Sequence, residues 1–304
     1  MRKLIGLLGA AGLLVTGCSS SGDEEYKFIE AESGNIEHLH GAGYPNDKEA
    51  FVIATHNGLY KYEDGKWLEA NSEKHDYMGF YPYSEGFYSS GHPEEGSDLK
   101  NPLGLIKSTD YGKSMKKLAF YGETDFHYLA AGYESGAVYV LNQEPNSSLE
   151  SGLYLTEDEG ENWSKKEMSG FDSTGIGGMA VHPTDKNTMA IASRDGLFLS
   201  EDGGDNFKAV TEGKMTTGIL LGEKTAVYSS IENGEITLVE FDLESGKETP
   251  LQAPALKEDN PIMHINQNPS EPSELTIVTY KNDIYRTTDK GEKWEEIMDE
   301  GTIE

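Results

Sequence analysis

The sequence predicts an all-β chain, a single six-bladed β-propeller of four-stranded antiparallel blades, and three observations predict it. One pattern of Ser/Thr, Asp, Gly and a bulky apolar residue recurs four times, at 108–115, 156–163, 200–207 and 287–294. The copies start 48, 44 and 87 residues apart, and the last step is two periods with one copy worn away. Self-similarity at a period of about 40 to 50 residues marks a propeller or a solenoid. Strand-like runs flank the copies, such as 152–155 before one and 208–210 after another, and no segment shows convincing helical periodicity.

The repeated pattern has a local physical meaning. Side chains of Asp and Ser/Thr bond backbone N–H groups two residues on, and Gly accepts the positive φ that a hairpin turn demands. The bulky residue then covers the turn. Asp110, Asp158, Asp202 and Asp289 are therefore expected to lock turns, not to act as catalytic acids.

The four copies read Ser108, Asp110, Gly112, Met115; Thr156, Asp158, Gly160, Trp163; Ser200, Asp202, Gly204, Phe207; and Thr287, Asp289, Gly291, Trp294. They resemble the Asp-boxes, or BNR repeats, of the sialidase and sortilin type of β-propeller. The resemblance implies boxes at the outer rim of each blade, away from a central site. The whole chain further resembles small bacterial lipoproteins often called glycosyl hydrolases on the strength of these boxes.

Arg2 and Lys3 precede an apolar run over 4–15 that ends at Val15-Thr16-Gly17-Cys18. This is the layout of a secretory signal, and the run is short for a membrane span. Its end resembles the bacterial lipobox, which implies cleavage after residue 17 and lipidation of Cys18. The expected order is a signal peptide at 1–17, a lipidated Cys and polar tether at 18–25, and the propeller at 26–304. The protein would then sit outside the cytoplasmic membrane, anchored through Cys18. Cys18 is the single cysteine, so the mature chain has no disulfide, zinc–thiolate site or thiol nucleophile.

Removing 1–17 takes away two cations and no acidic residue, so the formal charge of −29 becomes −31. Such a surface repels nucleic acid, and no basic patch argues otherwise.

Six inner strands rich in small residues are expected at 38–44, 77–81, 126–132, 177–182, 217–221 and 262–266. Small residues suit strands crowded about a narrow axis. Second strands follow, as at 50–54 and 275–279, and third strands lead into the boxes. The first repeat keeps a shortened box at 62–67, and the fifth keeps only a generic turn at 242–247. Ring closure has two readings, with 26–31 or 293–298 as the outer strand of the last blade.

In such a blade, the loops from second to third strand and from outer to next inner strand share the face opposite the boxes. Two of them, 91–102 and 142–150, are extended, and irregular loops on a regular scaffold are where binding tends to be placed. His38, His40, His127 and His264 fall at the starts of inner strands, while His56 and His92 fall in loops of the same face. His75 precedes an inner strand, and His182 reads as a turn residue opposite. With Met78, Met179 and Met263 in the inner set, the axis is lined by imidazole and thioether groups, which suit copper or zinc better than calcium. His38 and His40 project to one side of a strand. Two readings stand: a transition-metal site at His38, His40, His127 and His264, or the polar lining of a wet channel.

A sialidase grips its substrate carboxylate with three arginines, and the mature chain has only Arg194 and Arg286. Other glycosidases need two carboxyls astride the scissile bond, and Asp76 with Asp125, just before adjacent inner strands, is the pair to try first. Two functions follow. One is a binding or assembly module presenting His56, His92 and the long loops to a protein, glycan or metal; the other is a glycoside hydrolase or lyase using Asp76 and Asp125.

Overall fold

A computed structural model describes residues 25–47 and 50–303. The expected signal peptide and Cys18 lie outside the described residues. Six antiparallel sheets follow one another along the chain, with inner strands at Leu39–Gly43, Asp76–Tyr83, Leu129–Ala131, Ile176–Val181, Met215–Leu221 and Ile262–Gln267. These inner strands touch in cyclic order, and the sixth touches the first, which closes the ring. One short 3-10 turn, Pro45–Asp47, is the helical element among the described residues.

Each blade runs inner to outer as four consecutive strands, so every connection within it is a hairpin. Second strands such as Phe51–Thr55, Met189–Ser193 and Leu275–Thr279 are buried along their whole length, because blades cover both their faces. The core lies between blades: Tyr139 and Leu153 of the third pack with Met179 and Ile191 of the fourth.

Five inner strands carry a register shift in their pairing with the second strand, between Leu39 and Gly41, Met78 and Tyr81, Ile176 and Gly178, Thr216 and Gly218, and Ile262 and His264. A bulge bends and twists its strand and re-aims the extra residue. Glycine permits the tight approach there. Gly79 has φ +55°, and a Cβ on it would lie 2.2 Å from the carbonyl oxygen of Phe126 in the next blade.

The four boxes are superimposable in their bonding. Thr156 Oγ1 donates to Asp158 Oδ1 (3.0 Å) and accepts from the Gly160 N–H (2.8 Å), while Asp158 Oδ1 accepts from the Asn162 N–H (2.8 Å). The same three bonds recur from Ser108 and Asp110, from Ser200 and Asp202, and from Thr287 and Asp289. The main reach is thus four residues rather than two, which encloses a wider loop than an Asx turn. The box glycines hold φ between +86° and +93°, as left-handed backbone requires. Trp163 Nε1 donates to Gly160 O, covering its own turn, whereas Trp294 Nε1 reaches Gln252 O of the fifth blade. In the shortened first box, Trp67 Nε1 reaches Ile297 O of the sixth.

Closure corrects one reading of the sequence. Phe28–Glu30 pairs with Lys66–Ala70 as a fifth, outermost strand of the first blade, and Glu295–Met298 is the outer strand of the sixth. The ends meet instead through a two-stranded ladder, Gly34–Asn35 with Thr302–Ile303. Asn282 Nδ2 adds bonds to Ile36 O and Glu37 O, and the Gly301 carbonyl accepts from the Ile36 N–H.

Candidate functional site

An axial cavity of about 210 Å³ runs between the inner strands and is lined by residues of all six blades. His40, His127 and His264 line it among glycines and apolar side chains, with Met179 and Met263. The buried Thr217 Oγ1 and Asn266 Nδ2 have no hydrogen-bond partner within the protein.

At the loop-face mouth the histidines form two clusters with the aspartates, one blade apart. In the first, His40 Nε2 lies 3.1 Å from His56 Nδ1 and 3.3 Å from Asp76 Oδ1, and His56 Nδ1 lies 2.8 Å from Asp76 Oδ2. His38 packs edge-on against His56, ring centroids 4.8 Å apart. The bulge places His40: it is the extra residue between Leu39 and Gly41, while His38 precedes the strand, so their common side comes from the bulge and not from strand alternation. His56 sits in the hairpin turn between Phe51–Thr55 and Gly58–Glu63, and Asp76 opens the inner strand of the next blade.

The second cluster repeats the plan around Asp125. His127 Nε2 lies 2.6 Å from Asp125 Oδ2, His92 Nε2 lies 3.4 Å from the same oxygen, and His92 Nδ1 meets Asn101 Oδ1 at 2.6 Å. Asp76 is the register partner of His92, so the two clusters are neighbours on one face.

Burial governs the charge state at the axis. Loss of hydration lowers the His40 imidazole to about 4, against the pull of Asp76 and with the repulsion of His56, His38 and His127. Loss of hydration, helped by His40, does the same to His264, also to about 4. Both rings are neutral at neutral pH and keep a lone pair for a proton donor or a cation.

The sequence expectation of four histidine ligands is therefore regrouped. His40 joins His56 and Asp76; His127 joins Asp125 and His92; His264 stands in the channel wall; His38 supports His56 through its ring. His75 is buried, with Nδ1 accepting from the Glu94 N–H and Nε2 2.9 Å from Glu73, and His182 accepts backbone N–H bonds from Thr184 and Asp185. Sequence reasoning passed over Tyr280, 68 % exposed between the second and third strands of the sixth blade. It lines a groove shared with His38, His40 and His264. An aromatic residue in a second-to-third-strand loop was the available signal.

A family model described as sortilin, neurotensin receptor 3 matches residues 104–252, the stretch that holds three of the four boxes. The chain is an Asp-box β-propeller. Among curated protein sequences none matches it. Solved structures share the fold at low identity. A GH74 enzyme from Niastella koreensis is 14 % identical, with 87 % of this chain and 46 % of that one covered and a TM-score of 0.56. YCF48 from Cyanidioschyzon merolae is 12 % identical over 90 % and 88 % of the two chains, with a TM-score of 0.53. The extracellular domain of a putative one-component system from B. thetaiotaomicron is 12 % identical over 90 % and 34 %, also at 0.53. The propeller thus spans less than half the length of the GH74 enzyme, and the likeness is one of fold.

Within this propeller the arginine count gains a structural reason. Arg286 Nη2 donates to the buried Glu274 (2.6 Å), which also accepts from Tyr44 OH (2.9 Å), so Arg286 is committed between the sixth and first blades. Arg194 is exposed at the turn between Met189–Ser193 and Gly196–Ser200. One guanidinium on the loop face cannot supply the three forks of a sialidase carboxylate clamp.

Proposed function

We propose that this propeller is an extracytoplasmic binding module, anchored through lipid on Cys18, that takes a protein or glycan ligand at the axial mouth of its loop face. One observation carries the reading: the Asp and Ser/Thr of the boxes bond their own turns, whereas Asp76, Asp125 and their imidazoles gather at the loop-face mouth of an open cavity. Tyr280 beside the mouth adds an exposed aromatic surface of the kind that packs on a sugar ring or an apolar side chain. The loops 91–102 and 142–150 frame the same face; the second is held by Asn142 Nδ2 bonds to Leu149 O and Glu150 O.

The hydrolase reading places an acid and a nucleophile or base at Asp76 and Asp125. Both carboxylates face imidazoles rather than open space, Asp76 with His40 and His56, Asp125 with His92 and His127. A glycan array and a panel of glycan substrates, applied to the purified protein, decide between the two. Retention of a glycan without turnover, weakened by Tyr280→Ala, is the expected result. Turnover abolished by Asp125→Asn would replace the binding reading with the hydrolase one. For the anchor, Cys18→Ala should move the protein from the membrane fraction to the soluble fraction; unchanged partition would remove that part of the proposal.

A further inference from the structure

We infer that His40, His56 and Asp76 form a binding site for one divalent transition-metal ion, zinc(II) or copper(II), at the axial mouth. The inference rests on reading the loop face as the binding face. His40 Nε2 lies 3.1 Å from His56 Nδ1, and each oxygen of Asp76 faces one ring, Oδ1 at 3.3 Å from His40 Nε2 and Oδ2 at 2.8 Å from His56 Nδ1; one ligand atom from each of the three residues falls within 4.8 Å of the others. Ligands about 2.0 to 2.1 Å from an ion lie roughly 2.9 Å apart at octahedral angles and roughly 3.4 Å apart at tetrahedral ones. The edge between the two imidazole nitrogens falls in that range, and the carboxylate presents one oxygen to each of them, so the three side chains converge on one point at the mouth.

The carboxylate itself points the same way. Asp76 Oδ1 is shut off from solvent and makes no hydrogen bond, with His40 Nε2 beside it at 3.3 Å. An unpaired buried carboxylate oxygen is costly, and a cation shared with the two imidazoles satisfies it. The loops beyond supply no competing protein cation: the lysine and arginine ion pairs of the described residues all involve other carboxylates.

The donor set fixes the metal class. Two imidazoles and one carboxylate are borderline to hard ligands, which select zinc(II) or copper(II) over copper(I), and no thioether sulfur belongs to the triangle. The copper-or-zinc expectation is thus kept, but the thioethers drop out and Asp76 moves from candidate catalytic acid to ligand. Three protein ligands leave at least one position open, and His56, 44 % exposed, sets that position toward solvent. The Asp125 cluster is not equivalent. Its two imidazoles address a single oxygen, at 2.6 and 3.4 Å, and its three side chains do not converge as those of His40, His56 and Asp76 do.

The test is calorimetric titration of the full chain, metal-stripped and in detergent, with zinc or copper(II) salts alone, alongside its thermal midpoint. One equivalent of metal should bind, and the midpoint should rise. His56→Ala and Asp76→Asn should each weaken binding by at least about tenfold, whereas His127→Ala should leave it unchanged. His56 is exposed, so its replacement leaves the fold intact and stands as the check on Asp76→Asn. Absence of heat and of a midpoint shift, or equal binding by His56→Ala, overturns the inference. Since the probe is the metal alone, that failure would be distinct from failure of the binding reading, which the glycan array measures without metal.

Discussion

The two faces of the ring use the same residue types for opposite ends. On the box face, Asp and Ser/Thr bond the backbone of their own turn, four times over, with distances that agree to within a few tenths of an ångström. On the loop face, Asp76 meets imidazoles of the preceding blade and Asp125 meets His92 and its near neighbour His127, and one oxygen of each makes no hydrogen bond. Satisfied polar groups rigidify a turn; unsatisfied ones are available to a ligand. Repetition therefore marks the box face, and departure from repetition marks the loop face.

The largest expected effect lies on the box face. Gly204 has φ +93°, and a Cβ there would come 2.9 Å from Leu153 Cδ2. Gly204→Val should lower stability by about 3 kcal/mol, read from urea unfolding, while leaving metal titration of the loop face unchanged. A matching loss of metal affinity would break the division between faces. Thr156→Val comes next. It removes a buried hydroxyl that accepts the Gly160 N–H, and should cost about 1 to 2 kcal/mol in the same measurement.

Acid should act on the box face as well. Bonds from the Asn206 side-chain amide and backbone N–H lower Asp202 from 3.8 to about 2. A carboxyl depressed by folding stabilises above its unfolded value and loses that contribution as pH falls through the folded one, so the window runs from about pH 4 down to about pH 2. The boxed Asp110, Asp158 and Asp289 are lowered by the same kind of bonds, with burial opposing. Thermal midpoints followed across that window should fall less steeply in Asp202→Ala than in the parent; parallel curves would show that the box does not carry the acid response. The smallest stability effect is expected from Asp76→Asn. Removing a half-buried charge with an unpaired oxygen should change unfolding by less than about 1 kcal/mol in metal-free protein. A loss as large as that of Thr156→Val would make Asp76 a structural residue like those of the boxes.

The ring was legible because its period is written in the boxes, each a local device whose residues lie within eight positions of one another. Six blades follow from that spacing taken with the six small-residue runs expected as inner strands. The regrouping of the histidines was not legible, because it depends on the bulge that makes His40 an extra residue, and period-two alternation cannot register one inserted residue. His56 and Asp76 were each placed on the correct face, but their meeting with His40 joins a hairpin turn, a bulge and the next blade. The partner of 26–31 was hidden for a similar reason: its residues say strand, but only the ring says that the first blade's edge, not the sixth's, lies beside it.

The ladder between Gly34–Asn35 and Thr302–Ile303 joins a segment made before the first blade to one made after the sixth. A chain emerging in one direction can form each hairpin as it appears, since every blade is built from consecutive strands. The latch, however, has to wait for Ile303. Until then the first and sixth blades expose flanks that belong against each other, and the growing chain is a curved row of sheets with two open ends. Closure therefore comes late in time and is placed at the seam rather than at the axis, so the ring stays open until its last blade is complete.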